Sequence, residues 1–116
     1  YWERLPLFAT QSHLPDGVKR SIRRIRLAQR SHGIANSLRM ASTGIMTSMW
    51  KDLESLETPT LLITGAYDKK FTVLAERMER AIPSAHHVPI PNAGHAAHIE
   101  NPVVVRRCIE EFLRKL

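Results

Sequence analysis

At 116 residues, 43% of them hydrophobic and 24% charged, the chain has the size of one domain, so a single core is expected and two independent domains are not. The formal charge of +6 is unevenly placed, because residues 1–50 hold eight Lys/Arg against two acids while residues 51–116 hold nine against nine. No apolar run approaches the roughly 20 residues of a membrane span, no basic-then-apolar leader heads the chain, and the lone Cys108 excludes an internal disulfide; a soluble, cytoplasmic protein is expected.

The chain opens at Tyr1, without Met, on the apolar-rich run Trp2, Leu5, Leu7, Phe8, which reads as the interior of a longer polypeptide. Residues 17–30 place Val18, Ile22, Ile25 and Gln29 at helical spacing, with Arg20, Arg23, Arg24, Arg26 and Arg30 over the remaining surface, so a strongly basic amphipathic helix is predicted. A second helix is predicted from Ile34 to Ile45 after a break at Gly33, the two forming an antiparallel pair. Residues 50–57 give a short amphipathic turn leading into Pro59, a natural boundary because the residue before proline disfavours the α region. Residues 1–58 are therefore read as a helical cap and 59–116 as part of a core.

Beyond Pro59 strand and helix alternate. Thr60 to Thr64 is an almost wholly apolar run ended by Gly65, expected for a strand buried on both faces of a parallel sheet. Phe71, Leu74, Ala75, Met78 and Ile82 mark a helix that stops before Pro83. His87 to Ile90 is the next strand, on a sheet edge because Pro89 has no N–H to give a ladder. Asn101-Pro102 supplies an N-cap followed by proline at the first helical position, and Val105, Cys108, Ile109, Phe112, Leu113 and Leu116 line one side of a terminal helix. Strand, helix, strand, helix is the closing portion of a doubly wound, mostly parallel sheet, so the fold class is α/β.

In such sheets chemistry collects on the loops leaving the C-terminal ends of the strands. The loop from Gly65 to Phe71 presents the carboxylate of Asp68, and the loop from Pro91 to His98 presents the imidazole of His95. On adjacent strands, Asp68 can hold the Nδ1–H of His95, fix its tautomer and stabilise the imidazolium formed when Nε2 takes a proton. The blander reading of Asp68 is an N-cap for the helix beginning near Phe71. His98 and Glu100 read as structural or pocket-lining residues, His86 as solvent-exposed, and His87 as either. His95 and His98 are three apart with no third ligand fixed by the sequence, so no metal site is expected.

The stretch PTLLITGAYDKKF, then PNAGHAAHIENP and an amphipathic last helix, is similar to the closing segment of α/β-hydrolases, whose triad runs Ser, Asp/Glu, His in chain order. With WERLPLF, RLAQRSHGIANSLR, Asp-x-Lys-Phe and Ala-Gly-His-x-x-His, the chain resembles the 2-succinyl-6-hydroxy-2,4-cyclohexadiene-1-carboxylate synthase family of menaquinone biosynthesis over almost its whole length. Ala66 departs from the pattern, since relatives often carry an acid there. The resemblance implies a carbon–oxygen lyase that needs no cofactor: serine and histidine remove a ring proton and pyruvate is eliminated. It implies Asp68 and His95 as catalytic residues and Trp2 and Arg30 as contacts to a small substrate carrying several carboxylates. A basic cap suits that substrate, because Arg binds carboxylates in bidentate fashion and a positive field gathers anions.

No Gly-x-Ser-x-Gly elbow occurs among the five glycines, and the oxyanion-hole loop is also missing, so the chain alone is expected not to turn over. An esterase or carbon–carbon bond hydrolase would use the same Asp and His, and a non-enzymatic binding or assembly fragment is the reading from another class. Arg20, Arg23, Arg24 and Arg26 of the first helix read first as an ordinary solvated face, with substrate attraction as the alternative. Nucleic-acid binding has no aromatic interleaving or zinc spacing to support it. Two strands bury little, and an uncovered first strand leaves an open edge; either a missing N-terminal half or a second copy exchanging elements is expected to cover it.

Overall fold

The structure, a computed structural model, describes residues 2–116, apart from the side chain of Trp2. The chain divides into two compact units: the segment ending at His13 joined with Asp52–Leu116, and Leu14–Lys51. Residues up to His13, read from the sequence as cap, thus share a unit with the sheet.

The Leu14–Lys51 unit holds helices α1 (Asp16–Leu27) and α2 (Ser31–Ala41). Lys19 closes on Asp16 at 2.9 Å in the first turn of α1, and this hydrogen bond, then the ammonium charge, lowers the Asp16 carboxyl below its ordinary value. The helix ends where the Ala28 N–H bonds back to the Arg24 carbonyl. Gln29 falls beyond this end, and its side chain returns to the Ile25 carbonyl at 3.1 Å. Two expectations are corrected here. The break lies at Ala28–Arg30 and not at Gly33, which sits inside α2; Ile45 lies outside α2. The reason is local: Gly33 has no positive φ, and a Cβ added there would meet only Arg30 Cβ at 3.9 Å, so its backbone is ordinary helix that any residue can adopt. Neither helix buries a residue within the chain, and Ile25, Leu38 and Met40 are all exposed.

In the other unit, short 3-10 helices at Trp2–Arg4 and Pro6–His13 open the chain, and a third, Trp50–Ser55, runs across the boundary at Lys51. Strands β1 (Thr60–Gly65) and β2 (Ala85–Ile90) pair in parallel, with Thr60 opposite Ala85 and Gly65 opposite Ile90. Helix α3 (Lys69–Ala81) connects them; a single turn, α4 (Ala97–Glu100), and the terminal α5 (Pro102–Leu113) follow. Period-two alternation sorts the side chains. Thr64 and the residue His87 face α3, where Thr64 Oγ1 lies 3.2 Å from Thr72 Oγ1 and the Glu79 carboxylate accepts the His87 N–H at 2.7 Å. Ile63, Val88 and the fully buried Ile90 face the opposite way, onto Ala93, Ala97, Val105 and Cys108. Burial of a side chain such as Ile90 stabilises by about 1.5–3 kcal/mol.

The sequence pattern predicts β1 buried on both faces, but within this chain its residues 60–64 are only half-buried. Two strands, with α3 on one face and α4 and α5 on the other, leave an outer edge of the sheet uncovered, so accessibility stays intermediate. Pro89 stands opposite Thr64, and in a two-stranded sheet an edge position is what its missing N–H demands. Asn101 caps α5 by accepting the Val104 N–H and also donates to the Pro91 carbonyl at 3.0 Å, tying the helix to the loop after β2. Among the described residues no helix is long and apolar enough to cross a membrane.

The loops after the two strands touch at Gly65. A Cβ there would collide with the backbone carbonyls of Gly94 and Ala93 and lie 2.6 Å from the Ala93 carbonyl carbon; backbone cannot step aside as a flexible side chain can. Gly65→Ala is therefore expected to cost about 1–3 kcal/mol. Gly33→Ala, at an open helical position, should stabilise by about 0.4–1 kcal/mol. Urea denaturation of the two variants against the parent chain checks both, and equal effects of the same sign would refute this account of the loop contact.

Candidate active site

The parallel register brings the ends of β1 and β2 side by side, and backbone bonds extend the pairing into the loops. The Ala66 N–H donates to the Ile90 carbonyl and the Tyr67 N–H to the Ala93 carbonyl, both at 2.9 Å, while the Asp68 N–H turns back to Gly65 O at 2.9 Å. The chain thus leaves β1, makes one tight turn and enters α3 with Asp68 as its N-cap. Across the gap the Tyr67 hydroxyl donates to Asn92 Oδ1 at 3.0 Å, and Asn92 adopts the left-handed φ of 55° that Asn tolerates.

Asp68 is buried at 8% exposure, a costly place for a carboxylate unless its oxygens are satisfied. Each oxygen has a separate partner. Oδ1 accepts the Phe71 N–H at 3.3 Å, and Oδ2 lies 2.7 Å from Nδ1 of His95. An ionised carboxylate only accepts, so the shared proton belongs to Nδ1, and in the neutral ring Nε2 is left as the acceptor. The positive end of α3 adds a favourable field at the carboxylate. Capping and holding the imidazole, alternatives on sequence grounds, are done by one side chain with its two oxygens.

The His95 side chain is one-third exposed. Aromatic rings restrain it on two sides: Phe71 with centroids 4.8 Å apart in a tilted arrangement, and buried Phe8 edge-on at 6.0 Å. Glu100 reaches back to the loop, accepting the Gly94 N–H at 2.8 Å and the Ala96 N–H at 3.2 Å. In front of the pair lies a pocket of about 180 Å³ lined by Pro6, Leu7, Thr10, Tyr67, Asp68, Gly94 and His95. Thr10 packs so closely on Gly94 that a Cβ at Gly94 would sit 3.0 Å from Thr10 Cβ.

Of the four residues singled out from sequence, Asp68 and His95 are brought together. Arg30 is exposed at the N-cap of α2, within the Leu14–Lys51 unit, and the Trp2 side chain lies outside the described residues. His87, left open from sequence, is buried with Nε2 2.8 Å from Thr64 Oγ1, and His86 is exposed beside Glu79 at 3.7 Å. Sequence reasoning missed the aromatic pair Phe8 and Phe71, and it read Glu100 as structural or pocket-lining without its two backbone partners. Phe71 had a usable signal, since it stands three residues after an N-cap and shares its first turn; Phe8 is distant in sequence and had none. Among the described residues no group of three His, Cys, Asp or Glu side chains has the geometry to hold a metal ion.

A parallel β-α-β unit with helices on both faces, an acid after one strand and a histidine after the next, defines the C-terminal part of an α/β-hydrolase fold. MenH from S. aureus superposes with a TM-score of 0.96 at 38% identity over 98% of this chain and 43% of its own. Within that class the chain resembles the 2-succinyl-6-hydroxy-2,4-cyclohexadiene-1-carboxylate synthases. A Bacillus subtilis protein of that name is 36% identical over all 116 residues, and the Enterobacter synthase is 28% identical over 113. The chain spans 42% and 41% of those two relatives. No family model matches it.

The ring contact makes a separable prediction. Phe71→Leu keeps the backbone N–H that binds Asp68 and removes only the aromatic face, so it should lower stability by about 0.5–1.5 kcal/mol beyond the loss of buried area. A double-mutant cycle with His95→Ala in thermal denaturation measures the coupling, and additive effects would show that the two rings do not interact.

Proposed function

We propose that this chain supplies the acid and the base of a 2-succinyl-6-hydroxy-2,4-cyclohexadiene-1-carboxylate synthase, a carbon–oxygen lyase that releases pyruvate, and that the nucleophile-position serine comes from sequence outside these 116 residues. The observation that carries the reading is the 2.7 Å approach of Asp68 Oδ2 to His95 Nδ1 beside a pocket. Support comes also from the names of the relatives that match over the whole chain.

The chemistry follows from the tautomer. With Nδ1–H given to Asp68, Nε2 takes the proton of the serine hydroxyl, and the serine oxygen removes the proton from the substrate ring. The C–H electron pair becomes the new double bond as the C–O bond to the three-carbon group breaks. Pyruvate leaves as its enolate and recovers a proton from the imidazolium. Asp68 stabilises that imidazolium without itself becoming protonated. Trp2 and Arg30 are proposed substrate contacts, Arg30 as a bidentate partner for a carboxylate. The basic surface of α1, with Arg20, Arg23, Arg24 and Arg26, raises the local concentration of a multiply anionic substrate.

Pyruvate release assayed on a protein containing this chain together with a serine-bearing segment tests the proposal. Asp68→Asn, which leaves the shape and inverts the hydrogen-bonding demand on Nδ1, is expected to lower kcat by about 10⁴-fold, the size of the effect in serine triads. The 116-residue chain alone should release none. Ester cleavage with no pyruvate would overturn the lyase reading and leave a hydrolase that uses the same pair.

A further inference from the structure

We infer that Glu100 is a positioning residue for His95: its carboxylate fixes the two peptide groups that flank the histidine and so sets where the imidazole stands relative to Asp68. Glu100 Oε2 accepts the Gly94 N–H at 2.8 Å and Oε1 accepts the Ala96 N–H at 3.2 Å. Both oxygens of one carboxylate are thus spent on residues 94 and 96, and the residue between them carries the imidazole. Its neighbours Gly94 and Ala96 are buried while His95 itself is exposed, so their N–H groups would lack partners without this carboxylate.

The origin of the reach is also local. Glu100 closes the single turn α4, whose Ile99 and Glu100 N–H groups return to the Ala96 carbonyl at 2.8 and 3.0 Å. That turn folds the side chain back over the loop preceding it. Asn101 then anchors the far side, donating to Pro91 O at 3.0 Å. Ala96 is held by both its N–H and its carbonyl, and Gly94 is held by its N–H against Thr10. Rotation of the 94–96 backbone is what would swing the His95 ring from Asp68, and Glu100 blocks it from both sides. A carboxylate suits this task because it offers acceptors at two points and no donor, and hydrogen bonds to a charged acceptor are the stronger kind.

This inference rests on the Asp68–His95 pair being the reacting pair, and its test reads the geometry of the imidazole and not turnover. Failure of pyruvate release would therefore sink the proposed function without touching the readout. In ¹⁵N-labelled full chain, the His95 Nδ1–H proton held by Asp68 should give a downfield resonance protected from solvent exchange. Glu100→Ala is expected to broaden or abolish that resonance and to speed exchange of the Gly94 and Ala96 amides by about tenfold or more, while Ala75 in α3 and Val105 in α5 keep their protection. An unchanged His95 resonance in this variant, with or without faster Gly94 and Ala96 exchange, overturns the inference, because the carboxylate would then brace the loop without bearing on the ring. Should Glu100→Ala lose protection at Ala75 and Val105, Glu100→Gln decides. The amide has one acceptor oxygen in place of two, so the fold should hold, one of the two N–H groups should lose its partner, and the His95 resonance should weaken. An unaltered resonance, or loss of the fold in Glu100→Gln as well, also overturns it.

Discussion

The carboxylate of Asp68 is the point on which this structure turns. A buried charge is tolerated only where hydrogen bonds replace its hydration, and here the replacements are a helix end and an imidazole: the Phe71 N–H on one oxygen and Nδ1 of His95 on the other. The first interaction fixes where α3 begins. The second fixes how the histidine faces its partner. Because one side chain serves both, the start of α3 and the orientation of the imidazole cannot vary independently. Capping contributes about 0.5–2 kcal/mol in comparable helices, so the geometry of the pair is maintained by interactions that also stabilise the fold.

That arrangement needs two loops at van der Waals contact, and the sheet provides it. Parallel pairing with Gly65 opposite Ile90 ends both strands at one level. Two glycines then allow the approach, Gly65 against the 93–94 backbone and Gly94 against Thr10. The Ala66 and Tyr67 N–H groups continue the ladder past the strands, and the Tyr67–Asn92 bond ties the loops at the rim. Phe8 and Phe71 close over the ring. Acid, imidazole, braces and pocket all lie in the unit that contains the sheet.

Much of this was legible in the residues because the signals are short-range. The apolar run ended by Gly65 and the stretch His87 to Ile90 marked the strands to within two residues at each start, and Asn101-Pro102 marked the start of α5 at its observed position. The acid and the histidine were found because both follow a strand. Less legible were features set by distance or by backbone angles. Gly33 looked like a breaker and is ordinary helix, since a glycine stops a helix only where a positive φ or a close approach requires it. Burial of β1 was over-read, because an apolar run reports what a strand can bury and not what covers it in a given chain. Phe8 meets His95 across more than eighty residues of sequence, and no periodicity encodes that meeting. Glu100 read as structural or pocket-lining, but its grip on Gly94 and Ala96 depends on the backward fold of α4.

The relatives fit the same logic. Identity of 38% and a superposition of 0.96 over 98% of this chain mean that the loops and helices described above have counterparts in MenH from S. aureus. The central claim is narrower than any activity: a proton resides on Nδ1 of His95, held by Asp68, leaving Nε2 free to accept. Nitrogen-15 NMR of the ring in mildly alkaline solution, where a histidine side chain is ordinarily neutral, reads this directly. The account predicts a protonated Nδ1 and an unprotonated Nε2 in a single slowly exchanging tautomer; a ring protonated at Nε2, or one averaging freely between the two forms, would contradict it.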